Sequence, residues 1–204
     1  MTTTPPNSEI EPSGNGSGID LRVTVRDKDG RIINEQCKEG DLYLLNWMVL
    51  MANFFKCGLD GTTGNKYYYY IQRTQAQLSH CGPFYYTSNG DYWANTGKIV
   101  LGSSQQPPGL RDFDIAVPVK EITPSVPVIS SVGNVLKVIV SGTASFTSET
   151  VVGEAGLQVA FPDITNATHP ALITRDIFDP VTVPAGGSIT LQFELWFNGM
   201  PPAE

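Results

Sequence analysis

Two ionisable side chains stand where their neighbours are apolar. In "VVGEAGLQVAF", residues 151–161, Glu154 interrupts a run that otherwise reads as a buried strand. In "ALITRDIF", residues 171–178, Arg175 does the same with the opposite sign. Burial is a common way to tune a carboxyl group for general acid–base work. It is also costly, because an unpaired buried charge is destabilising by several kcal/mol and needs a cation or backbone donors. Residues 101–204 hold only four Lys/Arg against ten Asp/Glu, and Arg175 is one of the four. "PDITNATHP", a connection of hairpin-compatible length, joins the two stretches. A Glu154–Arg175 bond across neighbouring strands would therefore satisfy both residues. Two other readings stand beside it. Gly153 and Gly156 flank Glu154, so a bulge could turn it to solvent; or the carboxylate is catalytic.

Other chemistry is thinly represented. Cys37, Cys57, His80 and Cys81 are zinc-type ligands by residue type, but no C-x-x-C pair exists and adjacent His80–Cys81 suits a tetrahedral site poorly. A strand would also point His80 and Cys81 to opposite faces, which disfavours a Cys/His catalytic pair. Buried free thiols are expected, with a Cys37–Cys57 bridge as the alternative. The phosphate-loop, dinucleotide and G-x-S-x-G patterns do not occur. His169 is the only other histidine, so a Ser/His/Asp triad has little support. The Asp pairs in "RDFD" and "TRDIFD" read as turn residues that serve the backbone, and the N-x-T triplet at Asn166 as a loop. No catalytic residue, metal site or cofactor is expected.

The chain that must position these residues has 204 amino acids, 41% apolar and 16% charged. That charged fraction lies below the roughly 25% of ordinary soluble domains. Gly, Pro, Ser and Thr fill the difference, as in all-β proteins with many turns or surfaces covered by neighbouring subunits. The formal net charge is −7 and no basic stripe occurs, so a nucleic-acid partner is not expected. The first residues, "MTTTPPNSEIEPSGNGSG", lack the basic and apolar regions of a signal peptide. Synthesis and folding in a cytoplasm are expected, and an odd number of cysteines argues against a secreted disulfide framework.

Residues 1–18 have the composition of an extended arm, for which a neighbouring subunit is the simplest support. The remainder, 19–204, reads as one domain. "IDLRVTVRDKDGRIINEQ" predicts a β-hairpin over 19–36, turning at "DKDG". Asp41 and Gly58 bracket an apolar stretch that predicts a buried helix over 42–56. This stretch is shorter than the ~20 residues a bilayer span needs, so no membrane insertion is expected. Strand fragments are predicted at 67–72 and 83–87, with long loops around them. Farther on, "KIVLG", "FDIAVPVKEI", "NVLKVIVSGTASF", "ETVVGEAGLQVAF", "ALITRDIF" and "SITLQFELWFN" read as strands. Pro118 marks an edge or a bend in the second of these. Together the elements predict a mainly β fold: a β-sandwich or jelly roll with one buried helix.

Segment 59–97 concentrates aromatic residues: Tyr67, Tyr68, Tyr69, Tyr70, Tyr85, Tyr86, Tyr92 and Trp93. Tyr and Trp are enriched at protein interfaces, which makes these eight the interface candidates.

The order of motifs resembles small virion structural proteins of tailed bacteriophages and related prokaryotic viruses. Three features of the first part carry the resemblance: "VTVRDKDGRII", the apolar 42–56 segment, and "IVLGSSQQPPGLRDFDIAVPV" with Gly102, Pro107, Pro108, Asp112, Ile115 and Pro118. "EAGL", "LITRDIF" and "VTVPAGGSITLQFEL" follow in the same order. The resemblance covers about 19–56 and 98–197. It departs from the pattern at Ser103 and Ser104, where a second glycine is common, and at 59–97, which looks like an insertion. It implies a non-enzymatic, multi-copy part of a virus particle: a tail, neck or vertex component, or a capsid or decoration protein. Its implied partners are other copies of itself and other virion proteins, and its location is the virion. The alternative is a carbohydrate- or receptor-binding module that stacks a host glycan on the Tyr and Trp side chains of 67–93.

Overall fold

The computed structural model describes residues 17–41, 67–71, 74–78, 97–109, 112, 114–133, 135–162 and 168–198. The helix expected over 42–56 lies outside them, as does the strand fragment at 83–87. The described chain is mainly β. Its strands are β1 (Ser17–Arg26), β2 (Ile32–Asp41), β3 (Tyr67–Ile71), β4 (Thr74–Leu78), β5 (Lys98–Gly102), β6 (Pro118–Ile122), β7 (Val128–Val132), β8 (Val135–Ser145), β9 (Thr150–Pro162), β10 (Thr168–Val183) and β11 (Ser188–Asn198).

Two antiparallel sheets form the body. One has five strands in the order β2-β1-β11-β8-β7, the other four in the order β10-β9-β5-β6, and β3 and β4 make a separate hairpin. Strict alternation explains the first sheet. Leu21, Val23 and Val25 of β1, Ile189, Leu191, Phe193 and Leu195 of β11, and Val140 and Ala144 of β8 all point to one buried face. The second sheet answers with Ile99 and Leu101 of β5, Val152, Ala155, Leu157 and Val159 of β9, and Ala171, Ile173 and Val181 of β10. All of these belong to a single apolar cluster, so the two sheets share one core. Removing that much hydrocarbon from water is the main force that holds them together.

The hairpin β1–β2 turns where "DKDG" predicts. Asp27 Oδ1 accepts from the N–H groups of Asp29 and Arg31, each at 2.9 Å, and Gly30 sits at φ +80°. That backbone region favours glycine. β1 begins at Ser17, two residues inside the stretch read as an arm, and β2 runs to Asp41, beyond the expected end at 36. The expected strand at 113–122 is shorter in the structure. Only Pro118–Ile122 pairs, as the edge of its sheet, a position where a proline without an N–H is tolerated.

The sheets are also tied through polar groups on one side, where β2 faces β10. Lys38 Nζ donates to Asp176 Oδ1 and, at 3.2 Å, to the Ile177 carbonyl, while Gln36 Nε2 donates to the Asp179 carbonyl at 3.0 Å. Asp176 is thus a buried strand residue, 2% exposed, which corrects its reading as a turn aspartate. The apolar neighbours on both sides of "RD" hold it in β10, and Lys38 compensates its charge.

Candidate functional site

Glu154 and Arg175 lie on β9 and β10, which pair antiparallel with Arg175 opposite Gly156 and Ile177 opposite Glu154. The two charged residues are therefore diagonal neighbours on one face. Uniform alternation would not place them there, because Ala171 and Ile173 face the shared core and Arg175 would follow them inward. The register shifts between Leu172 and Thr174. This bulge leaves Ile173 inside and turns Arg175 to the opposite face. The bulge expected beside Glu154 thus occurs on the partner strand, and it buries the pair.

On that outer face the described residues of the β5–β6 connection, 103–109, 112 and 114–117, fold back over the sheet. Its base is closed by Ser103 N–H donating to the Val117 carbonyl at 3.0 Å. Beneath it Val100, Leu172 and Ile115 form a second, smaller apolar cluster. Glu154 is 0% and Arg175 3% exposed. Arg175 Nε donates to Glu154 Oε1 at 2.5 Å, Nη1 to Asp112 Oδ2 at 2.6 Å, and Nη2 to the Gln106 carbonyl at 3.0 Å. Nη1 also approaches the Pro107 carbonyl at 3.4 Å. Glu154 Oε1 accepts in addition from Ala116 N–H at 3.0 Å. One guanidinium thus grips a strand, an aspartate and two loop carbonyls, the planar multi-donor role for which arginine is suited.

Electrostatics agree with this arrangement. Burial works against the Arg175 charge, but the hydrogen bonds that Arg175 donates to Glu154 and Asp112 outweigh it, and the guanidinium pKa ends above its ordinary value. Asp112 has a backbone duty as well: its Oδ2 accepts from Gly109 N–H at 2.8 Å. Gln105 Nε2 reaches under the loop to the carbonyls of Gly153 at 2.9 Å and Phe178 at 3.3 Å. It fills the gap where the β9–β10 register shifts a second time, between Ile177 and Val181.

Chemically, the arrangement immobilises a loop. The guanidinium, Asp112 and Oε1 of Glu154 are engaged with one another and with backbone groups, while Oε2 of Glu154 is buried without a hydrogen-bond partner. A groove of about 290 Å³ between β2 and β10 is lined by Gln36, Cys37, Lys38, Gln105 and Phe178 among others, and neither Glu154 nor Arg175 borders it. Cys37 is an exposed free thiol there, its pKa pushed up chiefly by partial burial. Cys57, His80 and Cys81 lie outside the described residues. Among the described residues no cluster of His, Cys, Asp or Glu is placed to hold a metal, and no helix is long and apolar enough to cross a membrane.

The aromatic candidates divide in two. Tyr67, Tyr68, Tyr69 and Tyr70 make up most of β3, in register with Leu78, Gln77, Ala76 and Gln75 of β4. Tyr85, Tyr86, Tyr92 and Trp93 lie outside the described residues. Sequence reasoning missed the parts played by Asp112, Gln105 and Lys38. For Asp112 a signal existed: it is an acid four residues after a Pro-Pro pair, in a chain whose buried Arg175 can bind two carboxylates. For Gln105 and Lys38 none did, since their partners are backbone carbonyls or a residue on the other sheet.

A scan of protein-family models, a search of curated proteins and a search of solved structures each find no match to the chain.

Proposed function

We propose that this chain is a virion structural protein, a multi-copy subunit that acts by protein–protein association and not by substrate turnover. One observation carries the reading. Positions from separate motifs of the phage-like pattern, Gly102, Asp112, Ile115, Glu154 and Arg175, meet in one network that locks the 103–117 loop to the sheet. A pattern scattered over some seventy residues thus has a common physical purpose, which supports the resemblance beyond a chance match of short motifs. The network builds a rigid outward relief, with residues 105–109 exposed at its tip. Locked surface loops on a β scaffold are suited to recognition.

The fold that fits this role is a β-sandwich, inferred from two antiparallel sheets with a shared core. Within the particle, a tail, neck or vertex position is favoured over capsid or decoration. The partners are further copies of the chain and other virion proteins. The test is direct: purify particles of the virus that encodes the chain and quantify their proteins by mass spectrometry. A fixed, multiple copy number per particle is expected. Absence from purified particles would overturn the proposal.

A further inference from the structure

We infer that the outer edge of β7 pairs with β7 of a second copy about a two-fold axis, joining two five-stranded sheets into one continuous sheet. Among the described residues β7 is the terminal strand of its sheet, so one row of its backbone N–H and C=O groups faces outward. Such an edge is a template for another strand unless something blunts it.

The other edges of the two main sheets are blunted. β2 carries Glu35, Lys38, Glu39 and Asp41, and its Gln36 and Lys38 reach across to β10. β10 contains Pro170, Pro180 and Asp176, and β6 begins at Pro118 and carries Lys120 and Glu121. β7, "VISSV", has no charge and no proline, and no ionisable side chain occurs anywhere in residues 122–136. Two of its apolar side chains are held in water: Val128 is 58% and Ile129 69% exposed, with Val126 at 65% and Leu136 at 43% beside them. The other exposed strand aliphatics, Ile32 and Ile33 of β2 and Val151 of β9, lie on a charged edge or on an internal strand.

Charge selects the occupant. The chain carries −7, so most faces of two copies repel. An antiparallel β7–β7 contact brings no like charges together, and a two-fold axis gives each backbone donor an identical partner acceptor. The N-terminal residues 1–16 are a poorer occupant, since "SEIEP" sets two carboxylates and a proline around their one isoleucine. Strand pairing would bury Val128 and Ile129 together with Val126 and Leu136, adding apolar area to the backbone bonds.

This inference rests on the edge strand and stands apart from the virion reading. The test is the mass of the purified full chain by light scattering and sedimentation, wild type against Ile129→Lys, with Val151→Lys, at an exposed position of β9, as control. Both sites are exposed in the single chain, so the fold tolerates either change, which circular dichroism checks. The wild type is expected to be a dimer. Val151→Lys should remain one, and Ile129→Lys should weaken association at least about a hundredfold, because its symmetry places two lysines in one interface. A monomeric wild type, a ring larger than two, or a dimer indifferent to Ile129→Lys overturns the inference. So does a dimer that dissolves when residues 1–16 are deleted while Ile129→Lys leaves it intact, since the arm is then the occupant. Particle composition reads the virion proposal separately: a dimer absent from particles sinks only that proposal, and a monomer found in particles sinks only this one.

Discussion

Gly102 and Glu154 stand opposite each other where β5 pairs with β9, and a Cβ placed on Gly102 would lie 2.4 Å from Glu154 Oε2 and 2.5 Å from Ile115 Cγ2. The glycine at the end of "KIVLG" is therefore a matter of space. It admits the carboxylate and the loop isoleucine into the same square of the sheet's outer face.

Gly102→Ala should accordingly be destabilising by about 1–3 kcal/mol, the usual range for overpacking a filled site. Glu154 cannot swing away, because Arg175 and Ala116 N–H hold it. Urea unfolding of the two proteins measures the difference. An unchanged midpoint would show that the loop is less tightly seated than the distances imply.

Arg175→Met should cost more, about 3–5 kcal/mol, since it leaves Glu154 buried without its cation. Glu154→Leu combined with Arg175→Met should cost clearly less than the sum of the two single changes. A double-mutant cycle by chemical denaturation gives the coupling. Additive costs would mean that the two residues act separately.

Lys38→Met removes the cation that reaches from β2 to Asp176, whose side chain is 3% exposed. The lysine is itself partly in solvent, so a loss of about 1–3 kcal/mol is expected, smaller than at Arg175. Hydrogen exchange should locate the loosening at the β2–β10 side, and slow exchange there equal to wild type would count against the tie.

Asp27 offers a pH test. The N–H of Arg31 first, and that of Asp29 after it, hold its carboxyl below the ordinary value of 3.8. A lowered folded-state pKa stabilises the ionised hairpin turn fully above the unfolded value. That contribution is lost as pH falls through the lowered pKa, below 3.8. An NMR titration should show the Arg31 amide shifting with the Asp27 carboxyl in that window. An Asp27 titration at or above 3.8 would contradict the turn geometry.

Much of this architecture is legible in the chain, for physical reasons that differ by residue. β1, β8 and β11 announce themselves because a sheet with one buried face forces alternation, and Leu191, Phe193 and Leu195 obey it. Glu154 and Arg175 are legible as partners because each breaks the pattern of its own strand. β7 is not: "VISSV" follows Pro127, is short, and leaves Val128 and Ile129 in water. β4, "TQAQL", is too polar to read as a strand. The Ile173 bulge is invisible as well, since "ALITRD" is consistent with either face for Arg175. Side-chain bonds to distant carbonyls, such as those of Gln105, leave no trace in local pattern.

Pro107 and Pro108 sit in the exposed run 105–109, yet their neighbourhood is held by Arg175, Asp112 and the Gln105 side chain. Being in water is here no measure of softness. A molecule docking on this tip meets a shape that folding has already ordered, so little conformational entropy is lost on contact. The same buried arginine that silences two carboxylates inside the sheet thereby sets the stiffness of the surface above it.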